Sequence, residues 1–192
     1  MNLPKSAHTE LPWRIHELTP DFRVYDVWAL PTPGAADDFQ LLVDLFAGGD
    51  TATNPSRIAR LLFAIRWKLG EVLGWDEAGA GVNARVASLR HRLPPDLPAG
   101  GPEFTKLPFS SVYQTGNELA AEMANRTVHA VLHLSWVPDG AGGYRGQMGV
   151  LVRPNGWWGR VYMGLIGPFR HLFVYPPLMR GIEAEWRERL SA

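Results

Sequence analysis

The sequence predicts an α+β fold in which a curved antiparallel sheet is closed by a long C-terminal helix. Three observations carry this. Residues 117–137 and 142–152 alternate apolar and polar side chains and are joined by short turns, the pattern of consecutive antiparallel strands. Residues 158–186 carry apolar side chains at helical spacing and close the chain. Ahead of both, one strand pattern is followed by two shorter helix patterns. A curved sheet under a long helix suggests a container for a small molecule.

The elements follow in order. Residues 1–12 read as a mobile arm, and 1–20 as an N-terminal extension of one domain spanning 21–192. Residues 21–30 read as a strand with Phe22, Val24 and Asp26 on one face and Tyr25, Val27 and Ala29 on the other. The Pro-rich stretch from Pro31 is expected to end it. A short helix over 37–47 follows from Phe39, Leu42, Val43 and Phe46 at i, i+3, i+4 and i+7, with Gly48 as its C-terminal cap. A second helix over 55–73 follows from Asn54 as N-cap, Pro55 in the first turn, a stripe including Ile58, Leu61, Leu62 and Ile65, and Gly74 as stop. Arg57, Arg60 and Lys68 on its other side read as a solvated surface.

Residues 75–109 are irregular and proline-rich, with 83–89 the one strand-like piece and a lid the functional expectation for so long a loop. Strands are then expected over 110–116, 118–124, 127–136 and 144–152. Tyr162, Leu165, Ile166, Phe169, Leu172 and Phe173 define the long helix, which Pro168 should kink and Pro176–Pro177 should break. Leu178, Ile182 and Trp186 continue beyond at i, i+4 and i+8.

Bulk composition excludes several classes. The 192 residues are enough for one domain that buries about 70% of its unfolded surface. Lys plus Arg and Asp plus Glu both total 19, so no basic footprint for nucleic acid exists. With no Cys there is no disulfide framework, thiolate nucleophile or Cys-ligated metal. No leader-like segment opens the chain and no long uncharged apolar run crosses a membrane, so a cytoplasmic protein is expected. Phosphate-loop, dinucleotide, nucleophile-elbow and zinc-protease motifs are missing. No cofactor or metal is expected. The count of eight Trp fits an aromatic core or an aromatic-lined cavity.

Candidate chemistry concentrates in the second half. His129 and His133 share a strand face with Val131 and Ser135, and that half-polar face is expected on the outside of the sheet. Four strand residues span about 13 Å, too far for the two to chelate one metal through bonds of about 2 Å. Glu118 and Glu122 share a face with the same separation, unlike the 5–9.5 Å or so of glycosidase pairs. Either could be a buried base; cross-strand pairing with Arg126 or Arg145 is the structural alternative. Arg170, His171 and Tyr175 stand among aromatics near the end of the helix, where Arg170 could anchor an anion or pair with Glu118. The apolar face of the best strand, Leu132, Leu134 and Trp136, is the expected cavity lining. It is joined by Met148 and Val150 from the next strand and by Tyr162, Leu165, Ile166 and Phe169 from the helix. Ala130, Gly146 and Gly149 leave room beside them. The Trp-rich segment 156–160 reads as a turn anchor or a membrane-interface contact.

The segments 117–137, 161–180, 88–97 and 67–76 together resemble the DUF2867 family of bacterial proteins, the PFRH…VYP string of 168–176 being the most specific part. That family is similar to the START/Bet v 1-like (SRPBCC) superfamily, so the resemblance implies a helix-grip fold around a hydrophobic cavity. Two adjacent prolines depart from one uninterrupted grip helix. Similar domains fused behind NAD(P)-binding domains imply a functional link to an NAD(P)-dependent oxidoreductase. The resemblance supplies no catalytic residues. Three functions stay open: binding a small apolar or aromatic ligand; a cyclase, dehydratase or hydrolase using the same cavity, with Glu118, His129, His133, Arg170, His171 and Tyr175 as acid–base candidates; or a peripheral membrane or partner-binding module. The assembly is open too, a homodimer being one option.

Overall fold

Period-two alternation in the second half does produce consecutive strands. The structure is a computed structural model and describes residues 1–48, 82–83, 86–104, 107–125, 128–156, 171 and 174–191. After two short helical turns, α1 (Ser6–Thr9) and α2 (Ile15–Leu18), come β1 (Arg23–Gly34) and α3 (Phe39–Ala47). A 3₁₀ turn (Leu89–Arg92) precedes β2 (Ser110–Gln114), β3 (Glu118–Ala124), β4 (Val128–Pro138) and β5 (Tyr144–Pro154), and α4 (Tyr175–Leu190) closes the described chain. The five strands form one antiparallel sheet in the order β1-β5-β4-β3-β2. With the C-terminal helix against it, this is the helix-grip α+β architecture. The helix expected over 55–73 and the stripe from Tyr162 to Phe173 lie outside the described residues. No helix among the described residues is long and apolar enough to cross a membrane.

Strand parity sorts the core into two faces. The inner face carries Trp28 and Leu30 of β1, Leu132, Leu134 and Trp136 of β4 and Met148 of β5. Against it pack Phe39, Leu42 and Phe46 of α3 and Leu178, Ile182 and Trp186 of α4. The helix spacing of those last three residues therefore reports the buried stripe of α4 correctly. The Trp186 indole N–H donates to the Pro33 carbonyl at 2.9 Å and that of Trp136 to Ala35 at 2.8 Å, so both rings bury without stranding their polar edge. Pro176 and Pro177 stand in the first turn of α4, and the helix they were expected to interrupt lies outside the described residues. In the first turn their missing N–H groups have no intrahelical partner to lose.

The outer face carries Val112 and Tyr113 of β2, Ala120 of β3, Val131 and Val137 of β4 and Leu151 of β5. It is covered by Trp13, Ile15 and Leu18 of the N-terminal segment and by Leu89 and Leu97. This corrects the expectation of a mobile arm. Residues 1–18 are tied down because a largely apolar sheet face needs a cover. The Leu3 N–H donates to Val27 at 2.8 Å and the Ala29 N–H to Met1 at 2.9 Å, while Arg92 donates to the Leu18 carbonyl at 2.8 Å.

Three further expectations change. β1 continues through Pro31 and Pro33, which is tolerated because β1 ends the sheet order, residues 1–3 pair along its other edge only at 27–29, and its register shifts between Ala29 and Pro33. Of the strand expected over 83–89, the described residues 83 and 86–89 carry none; Asn83 is left-handed at φ 67° beside an isolated Val82–Val86 bridge. A register shift between Val24 and Asp26 moves Asp26 off the face of Phe22 and Val24. Val24 stands opposite Leu151, on the outer face, whereas Asp26 stands opposite Val150, on the inner one. One extra residue in a strand flips every side chain after it.

Candidate functional site

Among the described residues, buried titratable side chains gather on both faces of the sheet. On the outer face β3 and β4 set Glu118 and Glu122 beside His133 and His129, and all four are buried. The Glu118 carboxylate accepts from His133 Nε2 (2.9 Å), the Tyr113 hydroxyl (2.9 Å) and the Arg14 backbone N–H (3.2 Å). A carboxylate only accepts, so His133 carries its proton on Nε2 and presents a bare Nδ1. His8 Nε2 donates to that nitrogen at 3.0 Å, leaving His8 Nδ1 buried with no partner among the described residues. Gly149 makes this seat: a Cβ there would lie 2.6 Å from the His8 ring. Burial holds the His8 imidazole down to about 3, with His133 and His16 adding to the effect. Burial also lowers His133, against the pull of Glu118. Burial pushes Glu118 up, but its hydrogen bonds from His133, Arg14 and Tyr113 outweigh this and hold it below the ordinary range.

Glu122 repeats the arrangement one register further along. It accepts from His129 Nε2 at 2.8 Å, from the Ser88 hydroxyl, and from the Leu89 N–H at 3.0 and 3.2 Å. Burial raises it, and those donors, His129 first, bring it below the ordinary carboxylate value. This Glu122–Ser88–Leu89 contact pins the 3₁₀ turn to the sheet. The expected pairing of these glutamates with arginine side chains is corrected: their partners are histidines, because the face is closed to solvent and an imidazole fits between sheet and cover. Nor is the half-polar face of His129 and His133 the outside of the molecule.

On the inner face Asp26 is buried among apolar neighbours. Its carboxylate accepts from His171 Nε2 at 3.0 Å and from the Tyr175 hydroxyl at 2.7 Å. The His171 side chain is 37% exposed, so its other nitrogen, Nδ1, is the edge left for something else. Trp28 stacks against Tyr175, with ring centroids 4.5 Å apart, and against His171, at 5.8 Å. Among the described residues its indole N–H is buried with no hydrogen-bond partner, an unusual state for a buried donor. Beside this group the sheet floor changes character. Toward Trp136 and Met148 it is filled by α3 and α4; toward Ala130, Val150 and Val152 the side chains are small and Val150 is only partly buried.

The acid–base candidates thus divide. Glu118, His129 and His133 sit together under the N-terminal segment, and His171 and Tyr175 meet on the opposite side of the sheet. Arg170 lies outside the described residues, as do Tyr162, Leu165, Ile166 and Phe169 of the expected cavity lining. So do Trp157 and Trp158, on which an interfacial reading rests. Leu132, Leu134, Trp136 and Met148 are buried on the inner face with Val150 beside them. Sequence reasoning missed Asp26 and Trp28 as site residues, because nothing in a one-strand pattern marks a bulge, and missed His8 because the arm was taken as free. Among the described residues no group of three or more His, Asp or Glu is arranged to hold a metal ion.

Comparisons with known proteins bear on the whole chain. The sequence model of DUF2867, described as a protein family of unknown function, matches residues 18–177. No curated protein matches the sequence. A solved structure, the di-domain ARO/CYC StfQ from the steffimycin biosynthetic pathway, is similar in fold with 12% identity and a TM-score of 0.37. The similarity covers 93% of this chain and 56% of that one, so the chain spans a little over half of that protein's length.

Proposed function

We propose that this chain, which belongs to the DUF2867 family, binds a small, mainly apolar or aromatic molecule against the inner face of its sheet. The domain taking part is 21–192, a helix grip of the START/Bet v 1-like (SRPBCC) kind, with residues 1–20 as a cover for the opposite face. One observation carries the reading: an otherwise apolar face ends in small side chains beside a polar group, Asp26 with His171 and Tyr175, and an unpartnered Trp28 N–H. Apolar area with a few fixed polar groups is how small-molecule sites combine affinity with orientation. The Trp28 N–H would donate to an oxygen of the ligand, and Ala130, Val150 and Val152 would meet its apolar body.

Native mass spectrometry of the purified protein, followed by its denatured extract, tests this. A bound small molecule is expected, lost in Trp28→Ala. A clean apo mass, together with no response of tryptophan fluorescence to millimolar 2-tetralone, would overturn the reading.

A further inference from the structure

We propose that His171 is a general base whose proton transfers interconvert keto and enol forms of an aromatic or apolar carbonyl compound held on the inner face. The proposal rests on the binding reading above and adds an activity to it. Asp26 accepts the His171 Nε2–H at 3.0 Å, which fixes the tautomer and leaves the Nδ1 lone pair as the basic edge. The imidazolium formed on proton uptake then faces an almost fully buried carboxylate, so its charge is compensated where it arises. Tyr175 donates to the other Asp26 oxygen at 2.7 Å, so the carboxylate cannot swing away. Asp26 and Tyr175 are positioning residues here. The second requirement of the reaction is a donor for developing oxyanion charge. The Trp28 indole N–H supplies it: buried, without a partner among the described residues, and in a ring 5.8 Å from the imidazole centroid. A base and an oxyanion donor side by side at the edge of one apolar face are the minimum set for proton abstraction next to a carbonyl.

The step balances without a co-reactant. A C–H bond next to the carbonyl breaks and an N–H bond forms on His171 Nδ1. The electron pair moves into a new C=C bond while the carbonyl becomes an enolate, whose oxygen accepts from Trp28 Nε1. The imidazolium returns the proton to the oxygen or to carbon, and His171 is neutral again.

The test uses 2-tetralone in deuterated buffer. Loss of its α-proton signal is followed by NMR, and its binding is followed separately by tryptophan fluorescence. Wild-type protein is expected to exchange the protons about 100-fold faster than imidazole at equal concentration. His171→Gln should return the rate to background with tetralone still bound. Asp26→Asn should slow exchange and move the lower limb of its pH profile to lower pH, since the imidazolium loses its counter-charge; a structural role alone would not shift the profile. Binding without accelerated exchange, or unchanged exchange in His171→Gln, would overturn this inference and leave the binding reading standing. Absence of binding would remove the reading on which it rests.

Discussion

Lowering the pH from 7 to 5 is expected to loosen residues 1–18 from the outer sheet face and to cost about 2 kcal/mol of stability. The cause is His8. Its ring is sealed against Gly149 and bonded to His133, with His16 edge-on at 5.0 Å and Glu118 behind His133. The docked imidazole resists protonation down to about 3. A released one titrates near its ordinary value, about 6.5. A group whose folded value is depressed in this way contributes fully above pH 6.5. Below that the released state takes up a proton that the docked state refuses, and stability falls until about pH 3. His133, also lowered by burial, adds in the same direction. The carboxylates Glu118 and Glu122 act lower down: held below their ordinary value, they withdraw stability only as the pH falls through the carboxylate range. The histidine window is therefore separable. Hydrogen exchange at the Leu3 and Ala29 amides, which close the arm onto β1, reads it directly. Gly149→Ala should show fast exchange already at pH 7, because the new methyl occupies the imidazole's seat. Exchange over residues 1–18 that is the same at pH 7 and pH 5 would refute the latch.

Glu122→Ala should be the most damaging single change outside the apolar core, at about 3–5 kcal/mol in chemical denaturation. The carboxylate is 1% exposed and collects donors from three places: His129 on β4, the Ser88 hydroxyl and the Leu89 N–H. Removing it leaves a buried imidazole, a hydroxyl and a backbone N–H unsatisfied together, and each such group costs about 1–3 kcal/mol. It also frees the 3₁₀ turn that carries Leu89 into the outer core. Glu122→Gln should recover part of the loss, since an amide oxygen still accepts from Leu89 or His129. A loss in Glu122→Ala below about 1 kcal/mol, the scale of an ordinary surface contact, would mean that this group does not hold the turn.

How much of this the sequence discloses depends on the range of the interaction. The four strands from Ser110 to Pro154, the α3 helix with its left-handed Gly48 cap (φ 100°) and the Leu178–Ile182–Trp186 stripe are local patterns, and they read correctly. The DUF2867 resemblance, resting on particular strings of residues, is upheld by the match over 18–177. The pairing of His8 with His133 joins residues 125 apart, and that of Asp26 with Tyr175 residues 149 apart; no periodicity encodes either. Which sheet face is covered depended on an arm with no hydrophobic pattern of its own. The parity of Asp26 turned on one bulge. The histidines of β4 were visible as candidates, yet their surroundings were read as solvent, since alternation reports which residues share a face and not what lies over it.

The central claim is that the ligand side is the inner face, and β4 and β5 offer an internal control because their side chains alternate between faces. Methyl-resolved NMR of the protein titrated with 2-tetralone compares the two directly. The account predicts shifts at Ala130, Val150 and Val152 on the inner face, with Val131, Val137 and Leu151 on the outer face unmoved. Shifts confined to Val131, Val137 and Leu151, or none at saturating ligand, would contradict it.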